Sequence, residues 1–387
     1  LKKLPVAKLM RWGAGDAEFV RPVHGVIMLH GTKVVAGKVL GLEASGKTLG
    51  HRFLSKAKGP IVISSADQYE SVLEAKGAVV VDFAVRRSRI VAQLKRKAGK
   101  AYVSMTGFEN STGDAAAAAW ILQGNDNLLD EVTAIVEWPS VYEGQFDPKF
   151  LALPAQCIGT TMQKNQKYFA LVDQSAKLLP RYLIVSNIDT KAPAQIVSGN
   201  ARVLRARLAD ANFFFDQDRK TKLSDRVPHL GNVVYHNKLG SQLDRVRRIQ
   251  ALATSIAAEL GFKQILSSVE QAAKLCKADL LTDMVGEFPE LQGLMGFYYA
   301  QHDGETVQVA GGIREHYLPR FAQDVLPRGQ EGICLALADK LETLVGIYGI
   351  GLVPTGDKDP YGLRRAALGV VRILVEKELP LDLPTTL

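Results

Sequence analysis

Hydrophobic positions follow two different patterns along the chain. In the first half, short β-branched runs alternate with glycine-containing turns, and residues 23–42 form a hairpin-like example. From Ser198 onward, apolar residues recur at helical spacing almost throughout. We therefore predict an α+β protein in which an α/β domain precedes an all-helical domain. The predicted boundaries are 1–195 for the α/β domain, 196–232 for a connecting helical segment and 233–387 for the helical domain.

Apolar runs at 132–138, 167–173 and 181–187 predict three further strands in the first half. The QSAKLL segment between the last two has the length of a hairpin connection, so we expect those strands to pair. Residues 86–100 predict a helix instead, and they contain seven Lys or Arg and no acid. Such a run is either a solvated helix face or a surface for a polyanion.

Capping residues indicate where the helices of the second half begin. Asn200 precedes one helical segment, and Ser241 and Asp244 flank the start of the next. Asp359 and Pro360 form a cap followed by a first-turn proline, which predicts the start of the last helix. The apolar stripe of the second helix comprises Leu243, Val246, Ile249, Ala253, Ile256 and Leu260. Two further helices are predicted over 271–288 and 333–350.

Three consecutive phenylalanines lie in the helix that follows Asn200. Because successive helical side chains point about 100° apart, their rings cannot share one face. Phe214 and Phe215 fall on the apolar side, whereas Phe213 falls on the opposite side with Arg202 and Arg205. We therefore predict that this helix is covered on two sides. The second cover is either another domain of the chain, which we favour, or a partner subunit.

The charge distribution favours a polyanionic partner without requiring one. The formal net charge is +8 and the isoelectric point is about 9.2, but many basic proteins bind no polyanion. Arg202, Arg205 and Arg207 lie near the predicted start of their helix. The helix dipole disfavours each positive charge there by about 0.3–1 kcal/mol. Either a bound anion or salt bridges to acids elsewhere would offset this cost.

Cysteine usage and hydropathy limit the class of protein. The three cysteines are widely spaced, so we expect neither a disulfide framework nor a metal-binding pair, and we predict a reducing, cytoplasmic compartment. No apolar run approaches the roughly 20 residues of a membrane span, so no membrane partner is expected. No low-complexity segment occurs beyond Ala115–Ala119. Because the sequence starts at Leu1 without Met, we expect it to be part of a longer chain.

Candidate catalytic motifs are sparse. Neither the HExxH zinc motif nor the GxSxG nucleophile elbow occurs. His236, Asp279 and Asp339 stand in the order of the metal-binding quartet of the HD phosphohydrolase superfamily, which this part of the sequence resembles. Ala278 stands where the histidine of the His-Asp pair would be. Because one imidazole is missing from the ligand set, we predict a degenerate site that holds no metal.

Several longer stretches carry a more specific resemblance. They are RWGAGDAEFVRPVHG (11–25), GHRF (50–53), MQKNQKYF (162–169), GNARVLRARLADANFFFDQDRK (199–220), LQGLMGFYYAQHDGE (291–305), YLPRFAQDVLP (317–327) and PTGDKDPYGLRRAALG (354–369). Together they are similar to the β subunit of the bacterial, two-subunit type of glycyl-tRNA synthetase. The similarity runs along nearly the whole chain in the family's order.

This resemblance implies a fold and a division of labour. In the family, the first half is similar to the B3/B4 editing-type fold and the middle is HD-like. The family assembles as an α2β2 heterotetramer, in which the α subunit binds ATP, Mg and glycine while the β chain recognises tRNA-Gly. The resemblance therefore implies no catalytic residue and no cofactor in this chain. It also implies that an N-terminal part and the C-terminal anticodon-binding domain are missing.

Candidate tRNA contacts follow from the positions of the basic residues. Phosphate contacts supply most of the affinity of RNA-binding proteins, and Arg and Lys on rigid helices suit the recognition of duplex RNA by shape. The turn Asp357–Lys358–Asp359 is expected to fix the start of the last helix. The predicted contacts are Arg86, Arg87, Lys164, Lys167, Arg202, Arg205, Arg207, Arg364 and Arg365.

Two enzymatic alternatives compete with a non-catalytic tRNA-binding subunit. An HD-type metal-dependent phosphohydrolase would require a working metal centre around His236, Asp279 and Asp339. An editing enzyme acting on mischarged tRNA would require a nucleophile or base in the B3/B4-like domain, and no such constellation is apparent in the sequence. Glycine–tRNA ligase subunit is therefore the leading hypothesis.

Overall fold

The computed structural model describes residues 4, 6, 8–104, 127–175, 177–356 and 358–386. The Ala115–Ala119 run and Asp357 lie outside these ranges. Contacts divide the chain into two compact units, Leu1–Arg207 and Leu208–Leu387. The three-part division at 1–195, 196–232 and 233–387 stays a prediction. None of the helices in the described ranges combines the length and apolar character that a bilayer span requires.

The N-terminal part of the first unit consists of short strands in small sheets. Gly31, at φ 58°, forms the turn between two of these strands, and they pair antiparallel as a hairpin. The hairpin-like pattern predicted over 23–42 is confirmed there. The strands are β1 (Met10–Arg11), β2 (Glu18–Phe19), β3 (Val26–Ile27), β4 (Leu29–His30), β5 (Lys33–Val34), β6 (Lys38–Val39), β7 (Leu42–Ser45), β8 (Lys47–Thr48) and β9 (Ile61–Val62).

A four-stranded antiparallel sheet forms the centre of the first unit. Its strands are β10 (Tyr102–Ser104), β11 (Ser140–Gln145), β12 (Phe169–Val172) and β13 (Leu178–Ser186), in the spatial order β10-β12-β13-β11. The strands predicted at 167–173 and 181–187 are confirmed and form the expected pair. Phe169, Leu171 and Leu183 belong to the buried core beneath this sheet.

The described part of the first unit contains the helices α1 (Tyr69–Val72), α2 (Phe83–Ala98), α3 (Asn127–Ile135) and α4 (Ala155–Thr160). Of these, α2 packs on the four-stranded sheet and α3 packs on α2. The strand predicted at 132–138 was wrong, because Leu129, Val132 and Val136 are buried at helical spacing against α2. A short apolar run without Gly or Pro does not distinguish the two structures by periodicity. The basic helix predicted over 86–100 is confirmed as α2, which Asp82 caps by accepting from Val85 N.

A 26-residue helix, α5 (Pro193–Asp218), contains the three phenylalanines. Asn200 lies inside it rather than at its start, so the predicted cap was wrong; its amide donates to Ile196 O, one turn earlier. Leu204, Leu208 and Ala211 are buried on one side of this helix. Phe213 leaves 58% of its surface exposed, so the cover predicted for that face is not seen among the described residues.

The second unit is predominantly helical in its described residues, which also include a two-stranded hairpin formed by β14 (Val234–His236) and β15 (Gly240–Ser241). The start predicted at Ser241 and Asp244 is confirmed as a reciprocal capping box. The helix predicted over 333–350 is confirmed as well. The helices are α6 (Leu223–Arg226), α7 (Gln242–Glu259), α8 (Leu266–Leu275), α9 (Asp283–Glu287), α10 (Leu294–His302), α11 (Val307–Glu315), α12 (Gln330–Gly349), α13 (Leu363–Glu376) and α14 (Leu383–Thr386).

Two helix predictions in the second unit were wrong in their limits. The helix predicted over 271–288 is broken into α8, a 3-10 turn and α9, because Thr282 starts a new helix by accepting from Val285 N. The helix predicted to start at Pro360 begins at Leu363 instead and is α13; the short helix α14 follows it. The cap residue of α13 is Gly362, whose φ of 65° favours glycine. Asp359 still caps the helix, by accepting from Leu363 N at 2.9 Å and Arg364 N at 3.0 Å.

Candidate polyanion surface and buried ionic centre

The two predicted tRNA contacts on α2 are occupied within the first unit. Arg86 donates from Nε to Thr133 O at 2.8 Å and from Nη1 to Val80 O at 2.6 Å. Arg87 pairs with Asp130 at 2.7 Å. Both guanidinium groups therefore tie α2 to neighbouring segments of the fold. A phosphate would have to compete with these partners, so a tRNA contact at this end of α2 stays a prediction.

The lysines predicted in the MQKNQKYF stretch differ in their surroundings. Lys164 belongs to a π-helical turn, Thr161–Asn165, that follows α4, and it is exposed. Lys167 has a positive φ of 59° and pairs with Glu131 at 2.9 Å. The latter side chain is thereby directed towards α3. Neither observation tests the RNA contact predicted for them.

The three arginines of α5 are exposed. Because α5 begins at Pro193, Arg202, Arg205 and Arg207 lie in its middle and not near its N-terminus. The cost expected from the helix dipole therefore does not arise, since that effect is confined to the terminal turns. Arg205 adds to the lowering of the pKa of Asp147, which comes mainly from the Lys149 backbone N–H. The stiff helix holds these charges at fixed spacings.

The two arginines at the start of α13 are both exposed. Arg364 donates from Nη1 to Gly356 O at 2.6 Å, which closes the preceding turn. Arg365 lines a cavity of about 560 Å³ that also contains Arg245, Asp339 and Lys340. Neither side chain is buried in the core.

Beneath that cavity, the carboxylate of Asp339 is held by two cations. Its Oδ1 lies 3.0 Å from Nη2 of Arg245 and 3.0 Å from Nζ of Lys277. Arg245 comes from α7 and Asp339 from α12, two helices that pack together, whereas Lys277 lies between α8 and the 3-10 turn at Ala278–Leu281. Lys277 is only 2% exposed. The two cations are therefore internal counter-charges of a buried carboxylate.

The ammonium group of Lys277 has three fixed partners. Besides Asp339, its Nζ lies 2.9 Å from Nε2 of His316 and 4.0 Å from the centroid of the Tyr317 ring. The carbonyl of Ile313 lies 2.6 Å from Nδ1 of His316 and can only accept a hydrogen bond. Nδ1 therefore carries the proton, and Nε2 accepts from the ammonium group. A neutral imidazole is the form that fits this arrangement.

The pKa shifts of this centre agree with its geometry. Burial alone would raise the pKa of the Asp339 carboxyl, but Lys277 and Arg245 outweigh burial and hold that pKa far below its usual range. Burial, reinforced by Lys277, lowers the pKa of His316 well below its usual value. Burial also lowers the pKa of Lys340 to about 8. The centre therefore contains ionised Asp339 beside a neutral histidine.

The other two residues of the predicted HD pattern have separate environments. Asp279 is fully buried, and its Oδ2 accepts from Gly293 N at 2.5 Å and Gly296 N at 3.1 Å. Burial raises its pKa to about 6, against the lowering effect of these two N–H groups. His236 lies on β14, where its Nδ1 accepts from Lys238 N. Among the described residues, no three His, Cys, Asp or Glu side chains are arranged to hold a metal ion.

Sequence reasoning missed two features of this chain. Lys277 and His316 were not singled out, because the spacing of these buried polar residues matches no familiar motif. Residues 41–48, GLEASGKT, match the spacing of a phosphate-binding P-loop, a pattern that requires a helix after its Lys-Thr pair. Here the pair forms strand β8 instead, so the match has no phosphate-binding geometry.

Comparison with known proteins places this fold in a family. The model of the family described as "Glycyl-tRNA synthetase beta subunit" matches residues 1–387. The chain belongs to this family. The glycine–tRNA ligase β subunit of Aromatoleum aromaticum is 56% identical over 383 residues, which are 99% of this chain and 52% of that protein. The one from Thiobacillus denitrificans is 54% identical over an alignment of 388 positions, which covers 99% of this chain and 53% of that protein.

A third relative gives the same picture. The glycine–tRNA ligase β subunit of Neisseria meningitidis serogroup C is 53% identical over 382 residues. This match covers 99% of the chain and 52% of the relative. The chain thus spans about half the length of these synthetase β subunits, and the resemblance read from the sequence is confirmed.

Proposed function

We propose that this chain is part of a non-catalytic β subunit that binds tRNA-Gly for a separate α subunit. In this proposal, the α subunit converts ATP, glycine and tRNA-Gly to glycyl-tRNA, and it holds the ATP and Mg. The β chain acts in the cytoplasm, within an α2β2 heterotetramer. The observation that carries the proposal is the match of the synthetase β-subunit family over the whole chain.

The exposed arginines of α5 support the proposed RNA contact. Arg202, Arg205 and Arg207 project from a 26-residue helix, and the chain as a whole carries a net charge of +8. Duplex RNA is recognised mainly through its shape, phosphates and 2′-hydroxyl groups. Arg202 and Arg205, three positions apart on one face of this rigid helix, meet that requirement without a deep pocket, because each charge keeps its place along the backbone.

The buried ionic centre supports a structural role for the HD-like part of the fold. A phosphohydrolase of the HD type would need the Asp339 carboxylate for a metal ion. That carboxylate is instead paired with Arg245 and Lys277 at 3.0 Å each. Metal binding there would require displacing two buried cations, and each displaced cation would lose its buried counter-charge.

Salt-dependent binding of tRNA-Gly tests the proposal. The full-length β chain assembled with α is titrated with tRNA-Gly at several salt concentrations, and the double variant Arg202→Glu, Arg205→Glu is compared with the unmodified complex. Each lost phosphate contact reduces the slope of log affinity against log salt, by about 0.9 in the case of a B-form DNA duplex. We expect the double variant to bind weakly and to glycylate poorly. Arg247→Glu, an exposed arginine of α7 outside the predicted set, is the control.

Two outcomes would contradict the proposal. One is tRNA binding that neither salt nor the charge reversals on α5 affect. The other is hydrolysis of a phosphoester by this chain alone, with a metal ion bound in stoichiometric amount. The second result would instead support an HD-type phosphohydrolase.

A further inference from the structure

A groove in the first unit lies between α2 and the edge strand β11. Its volume is about 500 Å³. In the described part of the sheet, β11 is the last strand and pairs only with β13. One wall consists of Arg89, Arg96 and Lys97 of α2, and the facing wall contains Trp138 just before β11. The groove therefore combines positive charge with an aromatic ring.

The cationic wall follows from the helical repeat of α2. Arg89 and Arg96 are seven residues apart, which places them on the same face of the helix. Arg89 is paired with Glu74 at 2.6 Å. Arg96 and Lys97 are exposed, and within the described ranges neither forms an ion pair or a side-chain hydrogen bond. These two cations are therefore available for a ligand with negative charge.

The floor of the groove is fixed by Gln93. Its Nε2 donates to Pro139 O at 2.9 Å, and its Oε1 accepts from Val141 N at 3.0 Å. These two bonds hold α2 against the edge strand, so the distance between the cations and Trp138 is set by the fold. The backbone N of Trp138 donates to Asn187 Oδ1 at 2.9 Å, which anchors the residue while its side chain remains partly exposed.

We propose that this groove binds an unpaired nucleotide of an RNA strand. The base stacks on Trp138, and the flanking phosphates contact Arg96 and Lys97. Asp189, which also lines the groove, accepts a hydrogen bond from an amino or imino group of the base. Aromatic stacking with a nearby backbone cation is the usual way in which proteins hold single-stranded nucleic acid. The inference rests on the proposed function, because it names a second RNA contact of the same subunit.

Neighbouring residues of α2 provide a matched test. In the full-length β chain assembled with α, Arg96→Gln and Lys97→Gln are each compared with Lys95→Gln. Lys95 is exposed on the same helix but does not line the groove. We expect each groove variant to reduce the slope of log affinity for tRNA-Gly against log salt by about 0.7, the value for single strands. Lys95→Gln should leave that slope unchanged.

Trp138 provides the second arm of the test. Trp138→Leu should weaken the binding of tRNA-Gly about 5- to 150-fold, which corresponds to the loss of one stacked base. Trp138→Phe should retain most of the affinity of the unmodified complex. The unmodified complex and the two Trp138 variants should rank in the same order of affinity for a single-stranded RNA oligonucleotide. Equal binding by Trp138→Leu and the unmodified complex would overturn the inference, as would equal salt slopes for Arg96→Gln and Lys95→Gln.

The outcomes also separate this inference from the proposed function. If the unmodified complex binds tRNA-Gly but the groove variants bind equally well, only the groove is wrongly assigned. If the groove variants instead weaken association with the α subunit and leave tRNA affinity unchanged, the groove is a protein contact and the inference fails. If the unmodified complex does not bind tRNA at all, both the proposed function and this inference fail.

Discussion

Lys277 and Asp339 form a buried ion pair, with 3.0 Å between Nζ and Oδ1. The pair lies where the sequence resembles a metal-binding pattern, and a lysine supplies the positive charge there. Lys277 precedes Asp279 by two positions, and Asp339 lies in helix α12. The same acid that a metal enzyme would use as a ligand therefore has a structural role in this chain.

Removing the ammonium group should destabilise the helical unit. Lys277→Met keeps most of the side-chain volume but leaves Asp339 with one cation and His316 without its donor. We expect a loss of about 3 kcal/mol in the free energy of unfolding, because breaking a buried pair leaves a desolvated charge. Urea denaturation measures the loss, and amide hydrogen exchange in α12 locates it.

The control for this substitution is Arg247→Gln, which removes an exposed pair with Asp244 at 3.6 Å. Exposed pairs contribute about 0–1 kcal/mol, so this variant should be nearly as stable as the unmodified chain. A loss of unfolding free energy of similar size in the two variants would mean that the buried pair stabilises the fold no more than the exposed pair does.

His316 should make stability depend on pH below about 6.5. Burial and the adjacent Lys277 lower its pKa in the folded state, so protons bind to the unfolded chain more readily than to the folded one. The contribution of His316 to the free energy of unfolding is therefore present above the pKa that this histidine has in the unfolded chain. It is lost as the pH falls below that pKa, at up to about 1.4 kcal/mol per pH unit. Lys277, Lys340 and Asp339 also surround this ring.

Denaturation of His316→Gln across pH 5 to 7.5 checks this dependence. The difference in unfolding free energy between the variant and the unmodified chain should shift in favour of the variant as the pH falls. His302→Gln, at an exposed histidine of the same unit, is the control. Parallel curves for the two variants would contradict a neutral, buried His316.

Asp279 should contribute with the opposite sign. Burial raises its pKa from the ordinary 3.8 to about 6, so the folded chain holds a proton that the unfolded chain has released. That stabilisation is complete below about pH 3.8 and is lost as the pH rises through 6. Asp279→Asn removes the charge and keeps an oxygen for Gly293 N and Gly296 N. Its stability relative to the unmodified chain should rise by about 3 kcal/mol between pH 4 and 7.

Measuring the same pH series on Asp283→Asn provides the comparison, because Asp283 is exposed in the adjacent short helix. If the stabilities of Asp279→Asn and Asp283→Asn, each relative to the unmodified chain, vary with pH in the same way, the carboxyl at 279 is not protonated in the folded chain near pH 5.

Gly144 should tolerate no larger residue. It lies opposite Tyr182 in the pairing of β11 with β13, and a Cβ atom at this position would overlap the tyrosine ring. We expect Gly144→Ala to cost about 1–3 kcal/mol, since the ring is fully buried and has little room to move. Thermal denaturation measures the effect.

At Gly199, inside α5, a Cβ atom meets nothing within 4 Å, so Gly199→Ala should stabilise the chain by about 0.5–1 kcal/mol.

The sequence predicts most clearly those elements in which the apolar periodicity and the capping residues indicate the same helix. Helix α7 shows both, since its capping box and its apolar stripe indicate the same start and the same buried face. The run at 132–138 shows only β-branched composition, and contact with α2 makes it helical. Local propensity is weak enough for tertiary packing to override it.

The interior polar groups were less accessible to sequence reasoning. Lys277 and His316 are 39 positions apart, and their contact depends on how α8, α11 and α12 pack. A lysine in a charged sequence is ordinarily assigned to the surface, because Lys is almost never fully buried unless it is paired. Its partner becomes evident only when the fold is known, and the same is true of the groove beside Trp138.

The two hydrogen bonds of Gln93 also bear on whether the edge strand β11 can pair with a strand of another copy of the chain. By satisfying Pro139 O and Val141 N, the amide takes the place that a neighbouring strand would occupy at the start of β11. An open strand edge recruits other chains and leads to aggregation. A shorter side chain at position 93 would leave these two groups open to pairing with a strand of another chain.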